Sequence, residues 1–265
     1  MRATAPRIAG ICAGYRFGVA RVPKVLGRAR MSTSATGTTM LQSTQNMPWE
    51  PSPSPTVERK RLELVGPKEA GRVTSVVRYL PNSDFKPHPH PDGEEILVLD
   101  GVFSDDSGDY PTGTYILNPE GFEHGPRSKD GCTLLVKLKQ YPGLQRRQIR
   151  VYSSDPKTWQ PAAPDAANGV VGVNGEVKQC QLYRDLPGET YGETMDLYTL
   201  ASPTSSITFA AQPRGLEVFV MDASQDGLKL QDKVLRSGDW FKLTSTSEPT
   251  EVCGTAMFYV KTNHL

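Results

Sequence analysis

The chain has 265 residues, of which 37% are hydrophobic, and its 30 Lys and Arg nearly balance its 29 Asp and Glu. This composition is typical of a soluble globular protein, and the basic residues form no cluster that would bind nucleic acid. The apolar stretches are too short to span a membrane. We therefore expect neither nucleic acid nor a membrane among the partners of this protein.

The first segment of the chain is basic and lacks acidic residues. Residues 1–49 contain no Asp or Glu, and Lys and Arg are spread among small, apolar and hydroxyl residues. This pattern is typical of an organelle transit peptide, so we predict that residues 1–48 form a transit peptide and disordered leader. The arginine density favours the mitochondrion over the chloroplast. The alternative is a disordered basic tail without a targeting role.

The segments that follow predict an all-β protein. Short β-branched or apolar runs, such as RVTSVVRYL and CTLLVKL, alternate with clusters of Gly, Pro, Asp and Asn. Residues 94–100 carry apolar side chains on both faces, so both faces of this strand should be buried. Cys132, Cys180 and Cys253 are far apart and lack CxxC spacing, which predicts reduced cysteines within strands.

The segment HPHPDGEE, residues 88–95, holds two of the four histidines. His88 and His90 are two residues apart, so they face the same side of an extended chain. The proline that follows each histidine favours that extended geometry. The dipeptide DG then predicts a tight turn that brings Glu94 or Glu95 close to the histidines. Adjacent strand residues face opposite sides, so only one of these glutamates can join them, and the spacing leaves open which one.

A third histidine lies in GTYILNPEGFEHGP, residues 113–126. A single histidine in a strand is more often a hydrogen-bonded structural residue than a ligand, which is the alternative for His88, His90 or His124 taken alone. Together, three imidazoles and a carboxylate inside a small barrel are costly to desolvate unless they are paired. The set therefore predicts one divalent metal ion bound in the first half of the chain.

Both segments resemble the two sequence motifs of the cupin superfamily. The matching residues are His88, His90, Glu94 and Gly101 in the first motif and Gly113, Pro119, Gly121 and His124 in the second. Ser128 stands where the second motif has Asn, a position that is not a ligand in the family pattern. Residues 93–126 more narrowly resemble the ChrR-like cupin family. This resemblance implies a jelly-roll barrel and a metal bound by His88, His90, Glu94 and His124, with Glu95 turned away.

The second half of the chain repeats the first. GEEILVLDG (residues 93–101) and GLEVFVMDA (residues 215–223) align without a gap. We therefore predict two tandem cupin barrels: a metal-binding domain at residues 49–140, a linker at 141–173 and a second domain at 174–265. The positions equivalent to the four ligands are Ala210, Gln212, Leu216 and one near Pro249. The second barrel is thus predicted to be degenerate and metal-free, with Leu216 filling the ligand position and His264 solvated at the C-terminus.

Three functions fit this ligand set. In the first, the protein is a mononuclear metal-dependent dioxygenase or related oxidoreductase acting on a small carbonyl or enolic compound, with Glu94 as a catalytic base. An octahedral Fe, Mn, Ni or Cu would keep two positions open, whereas tetrahedral Zn would be largely closed. In the second, the resemblance to ChrR implies a zinc-holding sensor or ligand-binding module that responds to reactive oxygen without catalysis. The third is a small-molecule binder with a structural metal.

Three further polar residues are candidates for the pocket. Tyr110 lies near the second motif, and Arg78 and Lys137 lie on predicted core strands. For each of them, strand packing with an exposed head group is the more frequent outcome. A small molecule is the expected partner, and a monomer and a homodimer are both open. Sigma-factor binding is not implied, because nothing before Trp49 resembles the helical zinc-binding domain of the anti-sigma proteins.

Overall fold

The computed structural model describes residues 32–34, 37–165 and 169–264. These residues form 22 β-strands and two short 3-10 helices, Thr44–Asn46 and Pro156–Thr158. No helix in this part of the chain is long and apolar enough to cross a membrane. The prediction of an all-β protein is confirmed. The three cysteines within the described ranges, Cys132, Cys180 and Cys253, are free.

The strands are numbered in chain order. The first fourteen are β1 (Ser32–Ser34), β2 (Gly37–Ser43), β3 (Glu50–Pro51), β4 (Val57–Val65), β5 (Arg72–Tyr79), β6 (Ser83–Asp84), β7 (His88–Pro89), β8 (Glu94–Asp105), β9 (Gly108–Pro111), β10 (Thr114–Asn118), β11 (Glu123–His124), β12 (Arg127–Ser128), β13 (Cys132–Leu138) and β14 (Ile149–Tyr152). The remaining eight are β15 (Trp159–Pro161), β16 (Val170–Asn174), β17 (Val177–Tyr183), β18 (Thr194–Phe209), β19 (Leu216–Leu230), β20 (Lys233–Leu235), β21 (Asp239–Leu243) and β22 (Thr250–Thr262).

Most strands belong to two ten-stranded sheets. The N-terminal sheet has the order β14-β10-β8-β13-β5-β4-β3, with β6, β9 and β12 at its side. The C-terminal sheet has the order β1-β2-β21-β19-β22-β18-β17-β15, with β16 and β20 at its side. Strands β7 and β11 form a separate pair.

The two sheets repeat one topology. Strand β8 lies between β10 and β13 in the N-terminal sheet, and β19 lies between β21 and β22 in the C-terminal sheet. Glu94 of β8 pairs with Asn118 of β10, just as Leu216 of β19 pairs with Leu243 of β21. The internal repeat predicted from the sequence is therefore confirmed in strand order and register. The closure of each sheet into a barrel stays a prediction.

Two predicted boundaries differ from the structure. The leader was expected to extend to residue 48, but β2 pairs with β21 and so belongs to the C-terminal sheet. The predicted linker at 141–173 contains β14, which pairs with β10, and β15, which pairs with β17. The sequence does not reveal β2, because its partner lies near the far end of the chain. Most of the predicted transit peptide, residues 1–31, lies outside the described residues.

Strand β8 is buried on both faces at its start, as predicted. Ile96 and Val98 pack inside the N-terminal half, in a cluster with Ile116. Leu97, on the opposite face, belongs to a cluster that includes Phe219 of the C-terminal half. The two halves therefore share one apolar interface, and β8 separates it from the interior of the N-terminal half.

Buried ion pairs also connect the two halves. Glu95 accepts hydrogen bonds from Lys261 Nζ at 3.0 Å and from the Tyr259 hydroxyl. Lys137 Nζ donates to Glu217 Oε1 at 2.5 Å, and both of these side chains are almost completely buried. The expectation of an exposed Lys137 head group is therefore wrong, because β13 presents this residue to the interface and Glu217 neutralises it there.

The expectation that His264 is solvated is also wrong. Its side chain is 2% exposed, and its Nε2 atom lies 2.9 Å from Glu217 Oε2. The reason is that the end of β22 lies at the interface, where Lys261 contacts Glu95, so the residues that follow it are buried there too. Burial lowers the pKa of His264 to about 3, although Glu217 opposes this shift. The imidazole is therefore neutral in the folded protein at mildly acidic pH.

Acid should destabilise the protein through His264. The unfolded histidine binds a proton near pH 6.5, whereas the folded one does so only near pH 3, so unfolding takes up a proton between these values. The stabilisation is complete above about pH 6.5 and falls by about 1 kcal/mol between about pH 7 and about pH 5.5. Thermal midpoints measured across this range should fall by about 2–4 °C less in His264→Gln than in the wild type. Parallel curves would contradict the assignment.

Candidate metal centre

Two short strands bring the histidine motifs together. In the pair formed by β7 and β11, His88 lies directly opposite His124. The His90 N–H donates to the Phe122 carbonyl at 3.0 Å, which continues the pairing beyond β7. The extended geometry expected for HPHP therefore places its histidines beside the histidine of the second motif.

A tight turn returns the chain to the histidines. Asp92 and Gly93 both have positive φ, 57° and 74°, as the predicted turn requires. A Cβ atom at Gly93 would lie 2.5 Å from the Tyr141 carbonyl oxygen and 2.9 Å from that of Asn118, so only glycine fits. Strand β8 then begins with Glu94, whose carboxylate faces the histidines.

Replacing Gly93 by alanine should cost about 2–3 kcal/mol, since strain at positive φ adds to a clash with backbone atoms. Gly188 is a matched control, because its φ is 96° and nothing lies within 4 Å of the Cβ position. Gly188→Ala should cost about 1 kcal/mol from strain alone. Denaturant unfolding of both variants measures the difference, and equal losses would show that the turn tolerates a side chain.

His90, Glu94 and His124 converge in the N-terminal half. Their side chains are buried, and the ligand atoms all lie within 4.8 Å of one another. His90 Nε2 and His124 Nε2 are 3.0 Å apart, and Glu94 Oε2 lies 3.3 Å from His124 Nε2. Two nitrogens bound at right angles to one ion, each at about 2.1 Å, would be about 3.0 Å apart. The spacing therefore fits ligands of one shared ion.

A hydrogen bond to Nδ1 of His124 orients the opposite ring nitrogen, Nε2, towards the site. His124 Nδ1 donates to Asp105 Oδ2 at 3.0 Å, because an ionised carboxylate can only accept. When the ring is neutral, Nε2 carries no proton, so this atom faces Glu94 with a lone pair. Two acceptors at this distance repel each other unless a proton or a cation lies between them. The donor set therefore fits a divalent cation.

The two carboxylates control the charge of the site. Burial alone would lower the pKa of His124, but hydrogen bonds to Asp105 and Glu94 outweigh it and raise this pKa to about 9. Burial lowers the pKa of His90 despite the attraction of Glu94. Burial alone would raise the pKa of Glu94, but His90 and His124 hold it below its usual value. The site thus keeps a carboxylate ionised in a buried position, as a cation site requires.

His88 lies beside the three converging residues but outside their group. Its ring centroid is 4.8 Å from that of His90 and 6.1 Å from that of His124. His88 Nδ1 donates to the Lys86 carbonyl at 2.9 Å, which leaves Nε2 unprotonated in the neutral ring. The structure therefore brings three of the four predicted ligands together and places the fourth next to them.

Of the other residues considered for the site, one lies beside it and three lie elsewhere. Glu95 points away from the histidines, towards Lys261 of the C-terminal half. The Tyr110 hydroxyl donates to Asp105 at 3.0 Å and so lies behind His124. Arg78 pairs with Glu58 on the surface of the sheet, and Lys137 lies at the interface between the halves; neither contributes to the site.

Sequence reasoning missed two residues that contact the ligands. Asp105 holds His124, and Asn118 Nδ2 donates to Glu94 Oε2 at 3.2 Å. A signal for Asn118 was present, because it is the polar residue that ends the apolar run TYILN. Asp105 ends the twelve-residue strand β8, and no motif marks it.

The C-terminal half replaces the ligand positions with packing residues. Leu216 is fully buried in an apolar cluster, and Leu243 occupies the register position that Asn118 has in the first half. Gln212 is buried, and its backbone N–H donates to Thr246 Oγ1 at 2.7 Å. The carboxylate and its amide partner are thus both replaced by leucine.

Residues 38–142 match the sequence profile of the ChrR cupin-like domain. The chain contains a ChrR cupin-like domain. All four predicted ligands lie within it, whereas the C-terminal half lies outside the match. No curated protein sequence is significantly similar to the chain.

Solved structures share the fold of this protein at low sequence identity. A candidate dioxygenase from Nostoc punctiforme is 15% identical with a TM-score of 0.61, and the match covers 84% of this chain and 82% of that one. The bacterial pirin YhhW from Escherichia coli, in complex with nickel(II), is 13% identical with a TM-score of 0.58, covering 84% and 98%. The Escherichia coli protein Ylba is 12% identical with a TM-score of 0.60, covering 89% and 94%. These similarities agree with the ChrR-like domain in showing a cupin-like fold.

Proposed function

We propose that the protein binds one divalent metal ion through His90, Glu94 and His124, with His88 as the fourth ligand. The observation that carries this proposal is the 3.0 Å separation of two imidazole nitrogens beside a buried carboxylate. His88 uses Nδ1 to bond the Lys86 carbonyl, and its ring lies next to that of His90, which supports its role as the remaining ligand through Nε2. Iron, manganese, nickel, copper and zinc all bind such a donor set.

We infer that the reaction is an oxidation of a small carbonyl or enolic compound, of the dioxygenase kind. Three imidazoles and one carboxylate leave two positions of an octahedral ion open, and such an ion supplies Lewis acidity and redox chemistry. Glu94 is the group that would take a proton from the substrate. The similarity to a nickel-bound pirin supports a metal in this fold, and the similarity to a candidate dioxygenase supports this class of reaction.

Aromatic rings around the histidines favour a substrate with apolar parts. The ring centroid of Phe122 lies 5.5 Å from that of His124, and Phe103 lies 6.1 Å from it on another strand. Phe85 lies 6.2 Å from His88. These side chains limit water near the histidines, which would strengthen electrostatic interactions with a bound substrate.

The alternative is a sensor or ligand-binding domain that holds zinc and responds to reactive oxygen without turnover. The match of residues 38–142 to the ChrR cupin-like domain favours this alternative. Four protein ligands around tetrahedral zinc leave no open position, as in structural zinc sites.

Elemental analysis of protein purified without added metal, combined with oxygen uptake, tests both functions. The enzyme requires close to one redox metal per chain and oxygen uptake that depends on a small carbonyl or enolic compound. One tightly held zinc per chain without oxygen uptake would support the sensor. Protein that binds no divalent metal, even when metal is supplied, would contradict both.

We also propose that the basic N-terminal segment directs the protein to mitochondria. The support is compositional: residues 1–36 contain several Arg and no acidic residue. A fluorescent protein fused behind residues 1–36 should accumulate in mitochondria. Uniform cytosolic fluorescence would contradict the proposal.

A further inference from the structure

Strand β14 lies outside the ChrR-like domain at residues 38–142, yet it borders the candidate metal site. It pairs with β10 in an antiparallel register in which Arg150 lies opposite Ile116. Strand β10 ends at Asn118, the residue whose amide contacts Glu94. The side chains of β14 and of the segment just before it can therefore reach the back of the site.

Arg150 and Gln148 fix the amide of Asn118. The oxygen Oδ1 of Asn118 accepts from Arg150 Nη2 at 2.8 Å and from Gln148 Nε2 at 3.3 Å. A guanidinium can only donate, so the amide oxygen of Asn118 must face Arg150. Its NH2 group is then turned towards Glu94 Oε2, to which it donates at 3.2 Å. The orientation of the Glu94 carboxylate thus depends on Arg150, which acts through Asn118.

The same guanidinium lies close to the residue that holds His124. Arg150 Nη2 is 4.0 Å from Asp105 Oδ2, the atom that accepts from His124 Nδ1. The guanidinium also lies over the Tyr110 ring, 5.3 Å from its centroid, and its side chain is only 18% exposed. Its other terminal nitrogen donates to the Ile149 carbonyl at 2.8 Å, which fixes the orientation of the fork.

We propose that Arg150 is a positioning residue of the metal centre, which acts on Glu94 through Asn118 and on His124 through Asp105. This inference rests on the proposed metal-binding function. Partners behind a ligand hold it in the orientation that binds the ion, and their loss weakens metal affinity by about 10–100-fold. Strand β14 is therefore part of the site, although it follows the ChrR-like domain in the chain.

The test is the affinity of the full chain for Ni²⁺, measured by competition with a chromogenic chelator. Arg150→Gln and Asn118→Ala should each weaken Ni²⁺ binding by about 10–100-fold. Part of the Arg150 effect passes through Asn118. Arg150→Gln should therefore weaken Ni²⁺ binding by a smaller factor in the Asn118→Ala background than in the wild type. Arg78→Gln is the matched control, since Arg78 pairs with Glu58 instead, and it should bind Ni²⁺ like the wild type.

The rise in thermal midpoint that Ni²⁺ produces distinguishes a positioning role of Arg150 from a purely structural one. This rise should shrink in Arg150→Gln, and Arg150→Lys, which keeps the charge near Asp105 but lacks the planar fork, should give an intermediate value. If Arg150→Gln does not fold, Asn118→Ala and Arg150→Lys carry the same test. Wild-type affinity in the Arg150 variants, or effects that multiply in the double variant, would overturn this inference alone. A wild-type protein that binds no Ni²⁺ or other divalent metal would overturn the proposed function itself.

Discussion

Replacing His124 by alanine is expected to remove the bound metal and all metal-dependent activity while the protein stays folded. His124 Nε2 faces both His90 and Glu94, so the substitution removes the atom that the other two ligands share. Removing a residue that hydrogen-bonds a metal ligand typically weakens metal affinity by about 10–100-fold. Removing the ligand His124 itself should weaken metal affinity by more than this. Elemental analysis of the variant and the wild type, purified identically without added metal, measures it.

The fold should survive this substitution because His124 lies on the two-residue strand β11, which pairs only with β7. Asp105 also keeps two other donors, the Tyr110 hydroxyl at 3.0 Å and the Ser107 N–H at 2.7 Å. His264→Gln is the matched control, since His264 lies at the interface between the halves and should not affect metal content. Equal metal in His124→Ala and the wild type would refute the assignment of the site.

The geometry around the histidines could be predicted because it depends on local rules. Proline after each histidine keeps the chain extended, and the DG turn brings β8 back beside it. The choice between Glu94 and Glu95 is different, because strand alternation only says that they face opposite sides. The family resemblance favoured Glu94, and the structure gives the physical reason: Glu95 is needed at the interface, where Lys261 and Tyr259 contact it.

The residues that sequence reasoning missed are those whose partners are distant along the chain. Asp105 meets His124 across the N-terminal half, and Arg150 reaches Asn118 from a segment that was predicted to be a linker. His264 was expected in solvent because it is next to the C-terminus, yet β22 carries it to Glu217. No local pattern encodes such contacts, because they depend on how the two sheets pack.

Glu217→Gln is expected to destabilise the protein by about 3–5 kcal/mol, because it removes the carboxylate that is paired with the buried Lys137 ammonium. Glu217 Oε1 accepts from Lys137 Nζ at 2.5 Å and from Trp240 Nε1 at 2.7 Å, and the carboxylate has no exposure to solvent. Burial alone would raise the pKa of Glu217, but Lys137 outweighs it and holds this pKa well below its usual range. A loss of this size should lower the thermal midpoint by about 10 °C.

A double-mutant cycle distinguishes a buried charge pair from simple packing. Glutamine keeps an acceptor for Trp240, so Lys137→Met combined with Glu217→Gln removes both charges without losing that hydrogen bond. The double variant should then be more stable than the sum of the two single losses predicts, because neither charge is left unpaired. The exposed pair Lys178–Glu176, 3.5 Å apart, is the control, and Glu176→Gln should change the free energy of unfolding by less than about 0.5 kcal/mol. Additive losses in the cycle would show that Lys137 and Glu217 stabilise the interface independently, and would contradict a coupled charge pair.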